Sequence, residues 1–154
     1  MGQLIMIQKA LALKESYEIY YDGIMKYYIK KRKLISKKPA YEISTENGVV
    51  ALAEIISNTA PRIYKMTFEN IEAGEIVYNE IPGVNRLIYE QRGITVDGNG
   101  NLNEFKVKDA DKKIIGTIKK KIVSVKDTYE INYDNDSDEL LFAMIGLLID
   151  ETFH

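Results

Sequence analysis

Cysteine is absent from the 154 residues. That excludes a disulfide scaffold, a thiolate metal site and a cysteine nucleophile together, and it fits a reducing compartment. Histidine occurs once, as the final residue His154, where a frayed end is the plain reading. No Gly-x-Ser-x-Gly elbow, phosphate-binding Gly-Lys loop or His-Glu metal helix is present, so the common hydrolase, nucleotidyl and metalloprotease signatures are missing. The start, MGQLIMIQKALALK, lacks the long apolar run and small-residue cleavage site of a signal peptide. Met6 stands where a myristoylation signal needs Ser or Thr. These absences lead to the expectation of a cytoplasmic, non-enzymatic chain without cofactor or metal.

What remains is ordinary in amount and unusual in arrangement. Hydrophobic residues make up 45% and charged residues 29%, the balance of a folded chain with a real core. The net charge of -2 conceals an excess of five positive charges over 1–66 and of five negative charges over 67–105. Such asymmetry either polarises the surface or intermixes on folding.

Three passages share a frame: KALALKESYEI (9–19), KLISKKPAYEI (33–43) and KIVSVKDTYEI (121–131). Weaker copies are RIYKMTF (62–68) and EFKVKD (104–109). Tyr17, Tyr41 and Tyr64 are spaced by 24 and 23 residues, and Phe105 and Tyr129 by 24, the regularity of a structural repeat. Each unit alternates like a strand, meets a turn and runs back as a second strand. Asp22-Gly23 and Asn47-Gly48 are hairpin turn pairs, because their residues tolerate positive φ. Glu69-Asn70 and Asp109–Lys112 punctuate the other units. With LIMIQ at the start and NRLIYE and GITV over 84–97, ten to twelve short antiparallel strands are predicted. The repeat tyrosines read as packing residues. In the adjacent pairs Tyr20-Tyr21 and Tyr27-Tyr28 one member should face out. The loop DGNGNLN (97–103) resembles a calcium loop faintly, but Leu102 and Lys108 occupy its Gly and Glu positions, and an ordinary turn accounts for it.

The last segment, DELLFAMIGLLIDETFH, has no polar side chain from Leu140 to Ile149. Asp136 and Glu139 stand in capping-box spacing, so the sequence predicts a helix from about Ser137 to Glu151. Ten apolar residues span roughly 15 Å of helix, too short for a bilayer. An interfacial anchor would show a cationic face, and this helix has none. A helix with no wet face must be buried on every side. Among antiparallel strands, the centre of a closed barrel is such a place, with Leu140, Leu141, Phe142, Met144, Ile145, Leu147, Leu148 and Ile149 as its core. Gly146 costs such a helix about 1 kcal/mol against Ala, a cost explained if the wall approaches there.

The repeated KxxSxKxxYEI unit and the closing DTYEINYDNDSDELLFAMIGLLID resemble the LURP-one-related family of the tubby C-terminal-like superfamily, to which phospholipid scramblases are distantly related. The resemblance covers nearly the whole chain and is strongest over 106–150. It implies a mainly β fold: a closed antiparallel barrel of about twelve strands around a buried hydrophobic C-terminal helix. Residues 1–154 would form one domain, with strands over 3–133 and the central helix over 137–151. Tubby-type domains bind phosphoinositide head groups through basic side chains, and no motif here maps those residues individually. The Cys-rich and Pro-rich regions and acidic calcium segment of scramblases have no counterpart in this chain, which has three prolines.

The basic clusters carry the functional expectation. Lys30, Lys31, Arg32, Lys33, Lys37 and Lys38 place six positive charges within nine residues, and Lys119, Lys120, Lys121 and Lys126 take equivalent places in another unit. Brought together, they would form an anionic-ligand site for a lipid head group or membrane surface, where each charge contributes about 1 kcal/mol. The alternatives are lysines that only keep a barrel soluble and discourage edge pairing, a scaffold domain for a protein partner without a small-molecule site, and, last, an unrecognised enzyme. Exposed tyrosines beside Lys30–Lys33 could stack on bases, but the net negative charge and lack of an RNA-binding signature disfavour nucleic acid. Asp134, Asp136, Asp138 and Glu139 read as a helix-capping acidic loop rather than a cation site.

Overall fold

The computed structural model describes residues 1–9, 16–32, 39–121 and 127–154. Alternating apolar residues form twelve strands: β1 (Gly2–Gln8), β2 (Ser16–Tyr21), β3 (Ile24–Arg32), β4 (Ala40–Thr45), β5 (Gly48–Ser57) and β6 (Arg62–Phe68) in the first half. The second half supplies β7 (Ile71–Tyr78), β8 (Arg86–Tyr89), β9 (Ile94–Gly98), β10 (Glu104–Lys108), β11 (Ile114–Lys121) and β12 (Thr128–Tyr133). Each strand pairs antiparallel with the next, and β1 closes on β12 in a register running from Gly2–Tyr133 to Ile7–Thr128. The closed meander leaves no unpaired sheet edge. Every strand of the predicted repeat is present, and the five copies of the tyrosine or phenylalanine strand are β2, β4, β6, β10 and β12.

Turn chemistry follows the sequence with one shift. Asp22 and Gly23 take φ of 50° and 77°, and Glu69 and Asn70 take 49° and 66°. Both are two-residue turns whose left-handed residues match the twist of the flanking strands. At the β4–β5 hairpin Glu46 and Asn47 form the turn instead, Thr45 pairs with Gly48, and only Gly48 has positive φ, at 118°. The expected Asn-Gly turn is therefore displaced by one residue, in a hairpin that also carries a bulge at Ile43/Ser44. Tyr27 faces the interior and Tyr28 is exposed, as adjacent strand residues must divide.

A barrel of eight strands is just wide enough for side chains to fill; twelve leave space for a helix, whose diameter is about 10 Å. α1 (Glu139–Phe153) occupies it. All residues from Leu141 to Ile149 are buried, most with no accessible surface, which is the burial that an unbroken apolar run requires. Leu140, expected in the core, is only half-buried because it lies in the first turn, at the mouth. Two close approaches seat the helix. A Cβ on Gly146 would lie 2.7 Å from Ile131 Cδ1, and a Cβ on Gly116 of β11 would lie 2.2 Å from Phe142 Cε1. Gly116 is thus the recess in the wall that admits the Phe142 ring.

The predicted capping box does not form. A 3-10 turn over Asp136–Asp138 precedes α1, and the Asn135 side chain accepts from Ser137 N at 3.0 Å. Glu139 turns its carboxylate inward, because donors wait for it there.

Candidate functional site

At the C-terminal end of α1 the repeat converges. Tyr17 and Tyr129 both donate to the buried Asp150 carboxylate, Tyr129 at 2.5 Å from Oδ1. Tyr41 donates to Glu151 Oε2 at 2.5 Å, and the Tyr64 hydroxyl lies 2.8 Å from Thr152 Oγ1. Phe105, which has no hydroxyl, packs on Phe153, with ring centroids 5.4 Å apart. Successive helix residues rotate by about 100°, so one turn, Asp150 to Phe153, presents each side chain to a different part of the wall. The sequence identified these tyrosines as packing residues. Their hydroxyls also carry a specific function that packing does not need: they receive the acidic end of the helix. The signal for it was Tyr rather than Phe at the repeat position, followed by Asp-Glu-Thr directly after the apolar run.

Two carboxylates in a last turn oppose the helix dipole and need local compensation. The hydroxyls supply part of it, and Arg62 Nη1 reaches the Thr152 carbonyl oxygen at 3.4 Å. Lys31 Nζ lies 5.4 Å from the Tyr41 ring centroid and Lys120 Nζ 6.0 Å from that of Tyr129. Each pairs across its strand with that tyrosine, so two repeat-equivalent lysines cap two repeat-equivalent rings, a favourable cation–π arrangement. Burial pushes the Tyr129 hydroxyl far above the usual tyrosine range, and the neighbouring Asp150 adds to the shift. Tyr129 is thus a donor held neutral, not a base. His154 is tied down rather than frayed: its backbone N donates to the Asp150 carbonyl at 3.0 Å and its Nε2 lies 2.9 Å from Leu102 O.

Lys30, Arg32, Lys119 and Lys121 share the outer face of their strands, and carboxylate partners distinguish them. Lys30 and Lys119 are exposed. Arg32 Nη1 pairs with Glu42 Oε1 at 2.7 Å, Lys121 Nζ with Glu130 Oε2 at 2.5 Å, and Lys120 Nζ with Asp127 Oδ2 at 3.4 Å. The Lys121 hydrogen bond, aided by Asn132, holds the Glu130 carboxyl below its ordinary range. Lys33, Lys37, Lys38 and Lys126 lie outside the described residues. The ends of β3 and β11 open on the same mouth, but β12, β1 and β2 stand between them. Four strand spacings of about 4.8 Å make roughly 19 Å along the wall. The described lysines therefore form two arcs on one rim, not one patch.

The opposite mouth surrounds the start of α1. Glu139 accepts from Tyr27 at 2.7 Å and Tyr133 at 2.6 Å, and Lys26 Nζ lies 2.5 Å from its Oε1. Burial works to raise the Glu139 carboxyl, but the hydrogen bonds from Lys26, Tyr133 and Tyr27 outweigh it and hold the group below the ordinary range. Burial, with the Glu139 charge, pushes the Tyr27 and Tyr133 hydroxyls far up. In the loop over 99–103, Asn99 Oδ1 accepts from the backbone N of Asn103 and Glu104, so that side chain holds a turn. Among the described residues no group of three or more His, Asp or Glu side chains is placed to hold a metal ion, and no helix is long and apolar enough to cross a membrane.

Comparison with family models, curated proteins and solved structures returned no match.

Proposed function

We propose that this barrel is a non-catalytic binding module of the LURP-one-related, tubby C-terminal-like kind, and that the mouth at the end of α1 engages an anionic ligand. A lipid head group or anionic membrane surface is the ligand class, and the chain then acts as a cytoplasmic protein peripheral to the membrane. One observation carries the reading: α1 fills the space where barrel proteins hold a ligand, so recognition falls to the outer surface, and both basic strand ends open on one rim. Lys30 and Lys119 contribute exposed charge there, beside Lys31, Arg32, Lys120 and Lys121. The ion pairs of Arg32, Lys120 and Lys121 reduce their share. With about 1 kcal/mol for each charge near an anionic surface, binding is weak and salt-sensitive.

Co-sedimentation with vesicles tests this. The chain should sediment with phosphatidylserine- or phosphoinositide-containing vesicles at low salt, not with phosphatidylcholine alone, and should release as salt rises. Lys30→Gln with Lys119→Gln should weaken binding without changing the fold. Absence of binding to anionic vesicles at low salt would retire the proposal.

A further inference from the structure

The mouth around the start of α1 has a surface of another kind. Among the described residues nine large hydrophobic side chains are exposed, and seven of them, Met1, Tyr21, Ile24, Met25, Val49, Ile71 and Ile114, stand at this one end. They come from the start of β1 and from four separate hairpins, which the up-and-down topology gathers on one rim. Ile24 is 73% exposed, Ile71 72% and Val49 57%. The exposed aliphatic side chains of three adjacent hairpins share one rim, a gathering that suits an interaction surface.

Three adjacent tips repeat one pattern: a carboxylate in the turn, then an aliphatic residue at the first or second position of the return strand. The pairs are Asp22 with Ile24, Glu46 with Val49, and Glu69 with Ile71. Among the described residues no cation pairs with Asp22, Glu46 or Glu69, whereas the nearby cations Lys26, Arg92 and the terminal amine are engaged by Glu139, Asp138 and Asp136. Lys112 and Lys113 belong to the β10–β11 tip, beyond this arc. Inside the rim two depressions of about 570 and 430 Å³ meet at Glu69, Ser137 and Leu140. Leu140, the half-buried residue of the apolar run, is part of their floor.

We propose that the tips of the β2–β3, β4–β5 and β6–β7 hairpins form a docking surface for an extended peptide segment of a partner protein, one that interleaves Lys or Arg with aliphatic residues. The unpaired carboxylates select positive charge, and the aliphatic rim and Leu140 floor take the apolar side chains. Adjacent tips are two strand spacings apart, roughly 10 Å, which a segment in the extended polyproline II conformation covers in one turn of three residues at about 3.1 Å each, returning its side chain to the same face. The segment therefore carries its basic residues at every third position. The same carboxylates repel an anionic membrane, so this end is distinct in partner from the basic mouth.

The probe is a fluorescein-labelled synthetic peptide repeating Lys-Leu-Ser, titrated with the full chain and read by anisotropy across a salt series. The proposal predicts saturable binding that weakens with salt, with Glu-Leu-Ser and Lys-Ser-Ser repeats about tenfold or more weaker. Two triple variants, D22N/E46Q/E69Q and I24S/V49S/I71S, should each lose about tenfold while keeping the parental circular dichroism and melting curve. The Lys30→Gln/Lys119→Gln variant, altered at the other mouth, should bind as the parent does. No saturable binding at low salt would overturn the proposal, as would binding that both triple variants retain. Binding to phosphatidylcholine vesicles that only the aliphatic triple variant loses would overturn it in favour of a membrane.

Discussion

Replacing Tyr129 by Phe removes one oxygen atom and leaves the ring that fills the wall. Tyr129 has no accessible surface, its hydroxyl stands 2.5 Å from Asp150 Oδ1, and Asp150 is 5% exposed. Water cannot readily replace the lost donor. A hydrogen bond to a charged group contributes about 1.5–3 kcal/mol, and a buried acceptor left without its donor bears the desolvation cost as well. The variant should thus be destabilised by about 2–3 kcal/mol in urea unfolding at neutral pH, with an unchanged m-value. Tyr64→Phe is the internal control: its hydroxyl meets the neutral Thr152 Oγ1 at 2.8 Å, and its loss should cost about 1 kcal/mol. Tyr17→Phe combined with Tyr129→Phe strips both donors from one carboxylate, and the pair should be non-additive. If Tyr129→Phe lies within about 0.5 kcal/mol of the parent, or matches Tyr64→Phe, the hydroxyls do not hold the helix end and the argument fails.

Alkaline pH should unfold the protein through the same groups. Tyr27, Tyr64, Tyr89, Tyr129 and Tyr133 are all raised, burial being the main cause. Because the unfolded chain ionises them near the ordinary value of 10 while the folded chain does not, their contribution is intact below that pH and is lost above it. Absorbance titration should show these tyrosines ionising only together with loss of structure; all eleven tyrosines titrating near pH 10 in an intact fold would contradict this. On the acid side Glu139 is depressed, so its contribution is present above the ordinary glutamate value and disappears as pH falls through the folded one. Glu139→Gln should flatten that part of the stability profile. Gly116→Ala places a Cβ against the Phe142 ring and the Asn132 carbonyl and should cost at least about 1–3 kcal/mol by overpacking, measured as a shift of the urea midpoint.

Strands were legible because alternation and a period near 24 residues report one-sided burial directly. The helix was legible because ten apolar residues with no wet face fit few surroundings. What escaped was pairing across the interior. Glu139 stands three residues after Asp136, so local spacing pointed to a cap, whereas its donors Tyr27 and Tyr133 become visible only once β3 and β12 enclose the helix start. The hydroxyls of Tyr17, Tyr41, Tyr64 and Tyr129 were concealed in the same way, since repeat position reveals burial but not the partner. The basic site was only half legible. Alternation turns Lys31 and Lys120 over tyrosine rings, cross-strand carboxylates meet Arg32 and Lys121, and three intervening strands separate the two arcs. Ile24, Val49 and Ile71 gave no signal in the sequence, and closure of the barrel is what brings their hairpins to one rim.

The central claim is that α1 lies inside a closed wall, and one pair of substitutions tests it most directly. Ile145 is fully buried at mid-helix, and Leu140 is half-buried at the mouth. A carboxylate at Ile145 has no partner and should cost several kcal/mol, a large part of a typical stability of about 5–15 kcal/mol. Far-ultraviolet circular dichroism and urea unfolding of Ile145→Asp should therefore show an unfolded or severely destabilised chain, while Leu140→Asp stays folded. An Ile145→Asp protein with an unchanged unfolding midpoint would contradict the threaded helix.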